Sequence, residues 1–224
     1  MNKKYLFIKR LADIFCALLG IIGTSPIWIL AIIGIELSDF GPVFYVADRV
    51  GKDNKHFKMY KFRSMRVSKG AHEKYFKADT NRIFTWGAFI RKTKIDELPQ
   101  LINLLIGDMS VVGPRPAAAD QVHIIRGGKN AELAQLRPGL TSPSALYDYM
   151  YGDTVEDEGE YKVKVLPTRL ALDYMYLQKI GAFYDVKMIW YTVVCILYSL
   201  FDKTPEGIYN EIVNSVEFEK ELVV

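Results

Sequence analysis

The sequence predicts an α+β protein that is mainly helical, in which a compact helical body carries one β-hairpin and follows an apolar N-terminal helix. The length of 224 residues corresponds to one domain, or to one domain with an appendage. Half of the residues are hydrophobic and a quarter are charged, which excludes a disordered chain and a small disulfide scaffold. Because residues 14–35 carry no charge, we expect a membrane helix over 1–36 and a separate body over 37–224.

The apolar run 14–35 has two interpretations. A helix of these 22 residues is about 33 Å long, and as a signal anchor it would span a hydrocarbon layer of about 30 Å. Ser25 and Pro26 near its middle favour a break, since Pro26 offers no N–H to the carbonyl of Ile22 and its ring crowds that carbonyl. In lipid, a neighbouring serine hydroxyl can satisfy the freed carbonyl. Ser25 and Pro26 therefore predict a re-entrant helix that bends in the membrane and returns.

The charge distribution favours the same re-entrant helix. Positive charge marks the cytoplasmic side of a membrane segment, and basic residues flank the apolar run on both sides. A straight span would leave one basic cluster outside, whereas a returning helix keeps both on the cytoplasmic face. The flanking basic residues are Lys3, Lys4, Lys9 and Arg10 before the run and Arg49, Lys52, Lys55, Lys58, Lys61, Arg63, Arg66 and Lys69 after it.

Strand and helix signals divide the rest of the chain. Residues 43–62 contain two strand-like runs around the turn signal Gly51-Lys52-Asp53-Asn54, which predicts the β-hairpin. Residues 188–201 form an apolar run too short to span a bilayer, which predicts a core or membrane-interface helix. Further helices are predicted over 65–80, 98–106 and 168–180.

Two adjacent carboxylates, Asp96 and Glu97, are the first candidates for chemistry. They could simply cap the following helix, because acids favour the first turn. Nearby cations, Arg91, Lys92, Lys94 and Arg115, favour chemistry instead. We expect a carboxylate at a helix N-terminus beside guanidinium groups to have a lowered pKa and to stay ionised. Such a carboxylate can coordinate Mg²⁺ or attack phosphorus, and guanidinium groups match phosphate oxygens. The set predicts phosphoryl chemistry on an anionic substrate.

The basic and aromatic segment 56–66 leaves several interpretations open. It could stack nucleic-acid bases, adhere to anionic lipid headgroups, form a phosphate-binding edge of the site, or be a solvated strand face. The net charge of +3 is small and an apolar helix precedes the segment, so we rank nucleic acid last and expect no nucleic-acid partner. The cysteines and histidines lack the ligand spacing of a zinc site.

Several motifs, in order along most of the chain, resemble one family. The pattern DELPQ, then GDMS, then VGPRP is highly specific. On these motifs the chain resembles the monotopic phosphoglycosyl transferases of the bacterial sugar-transferase family, in their small, catalytic-domain-only form. The matching segments are KRLADI (9–14), GPVFYVADRVGKDNKHFKMYKFRSM (41–65), IRKTKIDELPQLINLLIGDMSVVGPRP (90–116), RPGLT (137–141) and TRLALDYMYL (168–177).

The resemblance implies an activity. Members transfer a sugar phosphate from a nucleotide diphosphate sugar, usually a UDP-sugar, to a polyprenyl phosphate such as undecaprenyl phosphate, with Mg²⁺ and release of UMP. They begin the membrane steps of glycoconjugate assembly, such as capsule, exopolysaccharide, O-antigen or glycoprotein glycan. Carried onto this chain, Asp96 is expected to be the nucleophile, to form a covalent phosphosugar intermediate and to contact the metal. Glu97 is expected to complete the catalytic pair.

The resemblance also implies binding residues and a location. Arg91 is expected to hold phosphate, Arg115 to contact the nucleotide sugar, and Lys61 and Arg63 to lie near phosphate. The body would be a catalytic domain with membrane-interface helices on the cytoplasmic face of the bacterial inner membrane, in contact with anionic lipids. The oligomeric state stays open, a homodimer included. The segment after RPGLT departs from the commoner pattern, so the transferred sugar is not named.

Two other functions stay open at this point. A membrane-bound, metal-dependent phosphohydrolase would use the same acids and cations, with water as the acceptor in place of a lipid phosphate. A non-enzymatic scaffold tethered to the membrane would bind an anionic partner through the basic hairpin. An Asp96→Asn variant and a sugar-phosphate label followed from protein to lipid distinguish these functions from the transferase.

Overall fold

The computed structural model describes residues 3–67, 80–155 and 157–216. The described chain is mainly helical with two small sheets, which confirms the predicted α+β class. The helix predicted over 65–80 falls almost wholly outside the described residues. The helices are α1 (Lys3–Ser38), α2 (Thr85–Lys92), α3 (Gln100–Ile106), α4 (Val122–Ile125), α5 (Pro143–Met150), α6 (Glu158–Glu160), α7 (Leu166–Lys179), α8 (Ala182–Leu200) and α9 (Glu206–Asn214). The strands are β1 (Phe44–Val50), β2 (His56–Phe62), β3 (Ser110–Val112), β4 (Ala117–Ala118) and β5 (Gly139–Thr141).

Two sheets support the body. Strands β1 and β2 pair antiparallel with Phe44 opposite Phe62, and β4 pairs with the other edge of β1. The connection between β1 and β2 is a short 3₁₀ turn in which Asp53 and Asn54 have positive φ, a conformation that these two residue types tolerate. Strands β3 and β5 form a separate parallel pair. The basic residues of 56–66 therefore lie on β2 and just after it.

Helix α1 runs without interruption from Lys3 to Ser38, through Pro26. The re-entrant break predicted at Ser25 and Pro26 is therefore not visible in the helix itself. The Ser25 hydroxyl donates to the carbonyl of Ile22 over 2.8 Å, the group that Pro26 leaves without its helical donor. A side-chain hydroxyl thus compensates for the missing N–H, and the helix remains continuous.

Both ends of α1 contact the body. Near its N-terminus, Lys9 forms an ion pair with Asp185 of α8. Near its C-terminus, Ile35 is fully buried in a cluster with Phe62 and Phe84. The rings of Trp28 and Phe62 meet edge to face at 5.4 Å. The helix therefore packs on one body near both of its ends.

Helices α1 and α8 are long and apolar enough to cross a membrane by length and composition, with mean hydropathies of 2.2 and 1.3. Most of the apolar run predicted at 188–201 lies in α8. The helix begins earlier, at Ala182, because polar residues in its first turns form hydrogen bonds and ion pairs. Asp185 accepts hydrogen bonds from two tyrosines, and Lys187 pairs with Glu211. The exposed apolar side chains of α8 are Phe183, Val186, Ile189, Trp190, Val193, Leu197, Tyr198 and Leu200.

The largest buried cluster joins α5, α7, α8 and α9. Tyr176, Leu172 and Met175 of α7 are almost completely buried, and Met188 of α8 packs in the same cluster. A separate cluster joins Ala17 of α1 to α3 and the first sheet. Ile95 and Leu98, which flank the candidate acids between α2 and α3, pack against the cluster that contains Ile35, Phe62 and Phe84, and this packing fixes the position of the acids.

Candidate active site

The adjacent acids Asp96 and Glu97 lie on a 3₁₀ turn, Ile95–Glu97, between α2 and α3. Lys94 precedes the turn in the left-handed region, with φ of 58°, which lets the chain reverse between the two helices. Neither this turn nor α3 has a side-chain capping bond at its N-terminus. The two acids therefore do not serve as helix caps, which was the alternative to a chemical role.

Asp96 is buried, with 5% of its surface exposed. Its Oδ1 atom has no hydrogen-bond partner among the described residues, although a buried polar atom normally has one. Burial raises the pKa of Asp96, and the attraction of Lys61 opposes that rise without cancelling it. The predicted lowering of this pKa is therefore wrong, because the sequence does not show how far the carboxylate is removed from water.

Glu97 has the opposite electrostatic character. Its Oε1 atom accepts a hydrogen bond from Lys61 Nζ over 2.9 Å. Burial alone would raise the pKa of Glu97, but the charges of Lys61, Lys94 and Arg115 together hold it well below its usual range. The two neighbouring carboxyl groups thus differ in proton affinity, a property typical of acid pairs that divide catalytic roles.

Arg115 belongs to a buried network of polar side chains around Asp148, which the sequence did not predict. Its Nη1 lies 3.3 Å from Asp148 Oδ2, and Arg169 Nε lies 3.5 Å from the same oxygen. The Tyr161 hydroxyl donates to Asp148 Oδ1 over 2.8 Å. Tyr161 begins a π-helical turn, Tyr161–Val165, and such turns are frequent at functional sites. Arg169 falls in the quoted segment TRLALDYMYL, whereas nothing in the sequence singled out Asp148 or Tyr161.

The remaining predicted phosphate ligands differ in their surroundings. Arg91 is half-buried, and among the described residues its Nη1 has only long contacts, at 3.5 Å to the Ser64 hydroxyl and 4.0 Å to a methionine sulfur. Arg63 is buried and donates to the carboxylate and carbonyl of Asp39 and to the carbonyl of Pro42. These contacts give Arg63 a structural role at the end of α1, and its contact with phosphate stays a prediction.

Lys94 is fixed by an aromatic ring. Its Nζ lies 4.2 Å from the centroid of the Tyr149 ring, a cation–π distance. The Tyr149 hydroxyl donates to Ser199 on α8 over 2.6 Å.

Within residues 3–67, 80–155 and 157–216, no group of three or more His, Cys, Asp or Glu side chains is arranged to hold a metal ion.

Comparisons with known proteins identify several relatives of this chain. The chain is 34% identical over 207 residues to the UDP-N-acetylgalactosamine-undecaprenyl-phosphate N-acetylgalactosaminephosphotransferase of Aeromonas hydrophila, covering 86% of this chain and 44% of that protein. It is 32% identical over 197 residues to the UDP-glucose:undecaprenyl-phosphate glucose-1-phosphate transferase of Xanthomonas campestris pv. campestris, covering 86% of this chain and 39% of that protein.

A third relative matches over most of both chains. The exopolysaccharide production protein ExoY of Rhizobium meliloti (strain 1021) is 31% identical over 207 residues, which covers 84% of this chain and 85% of that protein. The chain spans less than half the length of the first two relatives. The family described as bacterial sugar transferase matches residues 4–199, which include every predicted site residue, and the chain therefore belongs to the bacterial sugar transferase family.

Proposed function

We propose that this chain transfers a sugar phosphate from a UDP-sugar to a polyprenyl phosphate such as undecaprenyl phosphate, releasing UMP. The proposal rests on the buried carboxylate of Asp96, whose Oδ1 atom has no hydrogen-bond partner among the described residues. The positive charges of Lys61, Lys94 and Arg91 lower the pKa of this carboxylate against the effect of burial. The names of the relatives from Aeromonas and Xanthomonas describe this type of transfer. The name ExoY adds that such a protein serves exopolysaccharide production.

The proposed reaction has two displacements at phosphorus. In the first, an Asp96 oxygen forms a bond to the sugar-linked phosphorus, and the bond from that phosphorus to the bridging oxygen breaks. UMP leaves with the electron pair, and the sugar phosphate remains covalently bound to Asp96. In the second, a phosphate oxygen of the lipid forms the new bond to phosphorus and the aspartyl bond breaks, which restores the carboxylate. Asp96 and the lipid phosphate therefore accept the sugar phosphate one after the other.

The cations of the site make the approach of anions favourable. Arg91 and Arg115 present guanidinium groups, which match the geometry of phosphate oxygens. Lys61 keeps Glu97 ionised and stands beside Asp96. Fixed positive charge of this kind stabilises negative charge that develops on the transferring group. Glu97 is proposed to complete the pair by holding Lys61 in place beside Asp96.

Mg²⁺ fits the donor set at the catalytic turn. This ion is commonly held by one or two carboxylates together with substrate phosphates and water, and Asp96 Oδ1 is a buried oxygen without a protein donor. Asp96 is therefore the residue proposed to contact the metal. When bound, the ion would supply positive charge that offsets the repulsion between the carboxylate and the diphosphate.

The contacts of α1 support a proposal for how the chain meets the membrane. A straight crossing would carry one end of a 36-residue helix to the far side of the bilayer, about 54 Å away. Contacts near both ends, at Lys9 and at Ile35, instead favour a helix that stays on one side of the membrane. We propose a re-entrant segment over 1–36 that bends near Ser25 and Pro26 without interruption of the helix, with residues 37–224 as the catalytic domain on the cytoplasmic face of the inner membrane. Polyprenyl phosphate and anionic lipids would meet the site there.

A direct test measures UMP release from a panel of UDP-sugars by the detergent-solubilised full chain, with and without undecaprenyl phosphate. The proposal expects steady turnover only when the lipid phosphate is present, together with label transfer from the sugar phosphate to lipid. Steady turnover without the lipid would indicate the phosphohydrolase, because water would then be the acceptor. Binding of anions without any UMP release would indicate the scaffold.

The membrane arrangement has its own test. Single cysteines replace Lys3 and the exposed Lys55, which lies between α1 and α8, in a chain whose native cysteines are changed to serine, and a membrane-impermeant reagent is applied to right-side-out and inverted vesicles. The re-entrant arrangement expects both positions to react only in inverted vesicles. Labelling of the two positions from opposite faces would instead establish a single span.

A further inference from the structure

A second charged cavity lies away from the catalytic turn. It has a volume of about 30 Å³ and lies between the first turns of α1, strand β3 and the segment just before β5. None of the predicted substrate-binding or catalytic residues lines it. The residues that matter for its chemistry are Lys9, Arg10, Asp13, Lys52, Ser110 and Arg137.

Positive charge is in excess around this cavity. Its lining contains four cations and one carboxylate, Asp13, and Lys9 is paired with a second carboxylate, Asp185. Asp13 also accepts a hydrogen bond from the backbone N–H of Val111 over 2.9 Å. Lys52 forms no ion pair with any residue in the described part of the chain. Four cations thus face two carboxylates, which leaves a net positive cavity.

Two of the cations are held in place by backbone carbonyls rather than by acids. Arg10 donates to the carbonyls of Leu104 and Leu105 over 2.6 and 2.9 Å, and Arg137 donates to the carbonyl of Gly107 over 3.0 Å. These carbonyls end α3, where a positive charge is favoured by the helix dipole. The contacts fix both guanidinium groups without neutralising them, so their charge remains to act on the cavity.

Ser110 provides the second, independent observation. Its side chain is 1% exposed, and its Oγ atom has no hydrogen-bond partner among the described residues. A hydroxyl left unpaired in a buried setting is costly unless a guest or a water supplies the partner. Ser110 and the excess cations line the same cavity, and this lining favours an anion that brings acceptor oxygens.

We propose that this cavity binds one phosphate group, separately from the substrate diphosphate of the catalytic turn. The charge of the lining favours a phosphate anion, with any substituent outside the cavity. Two sources share this chemistry: free inorganic phosphate and the headgroup of an anionic lipid. The first turns of α1, which line the cavity with Lys9, Arg10 and Asp13, also expose Phe7, Leu11 and Phe15, side chains suited to contact with lipid.

The test compares three single variants of the full chain in neutral detergent. Tm is measured against increasing sodium phosphate, with sodium chloride at equal ionic strength as the reference. Wild type is expected to show a saturable rise in Tm with phosphate. Lys52→Gln and Ser110→Ala are expected to shift the midpoint of that rise about tenfold to higher phosphate, the size of one lost charge-assisted contact. Lys55→Gln, an exposed neighbour outside the cavity, is expected to match wild type.

The lipid source is tested in nanodiscs of phosphatidylcholine with and without phosphatidylglycerol. A rise in Tm with phosphatidylglycerol that Lys52→Gln removes assigns the site to a lipid headgroup. A response to inorganic phosphate alone assigns it to free phosphate. No response in either arm, or an equal response in wild type, Lys52→Gln and Ser110→Ala, would overturn the proposal and leave water as the occupant. UMP release by Lys52→Gln is expected to equal that of wild type, so this result is independent of the proposed transferase activity.

Discussion

Two buried aspartates, Asp185 and Asp96, differ in how their carboxylates are satisfied. Asp185 accepts hydrogen bonds from Tyr5 over 2.5 Å and from Tyr176 over 2.8 Å, and it pairs with Lys9. Asp96 is equally buried, but its Oδ1 atom has no partner among the described residues. Burial of a charged side chain therefore does not by itself identify a functional site. A fully partnered carboxylate joins elements, whereas an unpartnered one keeps an oxygen for a ligand.

The largest effect is expected when the unpartnered carboxylate is neutralised. Asp96→Asn should lower UMP release by about 10⁴-fold or more, because loss of a nucleophile removes the covalent route. Its Tm should stay equal to that of wild type or rise, since the substitution removes a buried charge whose loss of water the nearby cations do not fully offset. Asp120→Asn, at an exposed position, serves as the control. An Asp96→Asn enzyme with the wild-type rate would remove Asp96 from the mechanism.

The partnered carboxylate should behave in the opposite way. Asp185→Asn leaves Lys9 buried without its counter-charge, so we expect a loss of about 3–5 kcal/mol in the free energy of unfolding, measured by unfolding in detergent. The rate per folded molecule should be retained. Asp202→Asn breaks the exposed ion pair with Lys92 and should cost less than about 1 kcal/mol. Equal stability of the two variants would contradict the structural role of Asp185.

Asp148 tests an intermediate case, in which a partnered carboxylate supports a site residue. Asp148→Asn should lower kcat/KM for the UDP-sugar by about 10²-fold, because a small displacement of Arg115 misplaces the substrate. The loss should appear mainly in KM. Tyr161→Phe removes one hydrogen bond to Asp148 and should have a smaller effect in the same direction. A purely structural role predicts lower Tm with unchanged KM, which would separate Asp148 from substrate binding.

Asp173 extends the comparison of buried aspartates to the pH dependence of the free energy of unfolding. Burial raises the pKa of Asp173 to about 6 from its ordinary value of 3.8, even though Ser144 donates a hydrogen bond to it. A group whose pKa is raised by folding stabilises the fold below its ordinary pKa and loses that contribution as pH rises through the folded value. Wild type should therefore lose about 1–3 kcal/mol relative to Asp173→Asn between pH 4 and pH 6, and the difference should level off above pH 6. A difference independent of pH would contradict the raised pKa.

From the sequence, it was easier to predict which residues lie together at the candidate site than how their pKa values are shifted. Asp96, Glu97, Lys61 and Arg115 are brought into one charged cluster, as the motif order implied. The direction of the Asp96 pKa was wrong, because it depends on burial by elements distant in sequence. Local patterns carry helix, turn and charge signals, but they do not report which side chains lose water.

Long-range packing explains the other differences. Asp148 comes from α5 and Arg169 from α7, and they meet only because these helices pack together. Asp148 lies outside the motif segments on which the resemblance rests, so the resemblance gave it no role. The structural role of Arg63 likewise depends on Asp39 at the end of α1, a contact that no local motif indicates.

The most direct test of the central claim is to find the covalent intermediate. The enzyme is mixed with a UDP-sugar without lipid acceptor and quenched, and its intact mass and peptide masses are measured. We expect one equivalent of UMP and one phosphosugar adduct on the peptide that contains Asp96, both lost in Asp96→Asn, with discharge of the adduct when undecaprenyl phosphate is added. Full activity with both substrates, but neither UMP nor adduct before the lipid is added, would contradict a two-step transfer through Asp96.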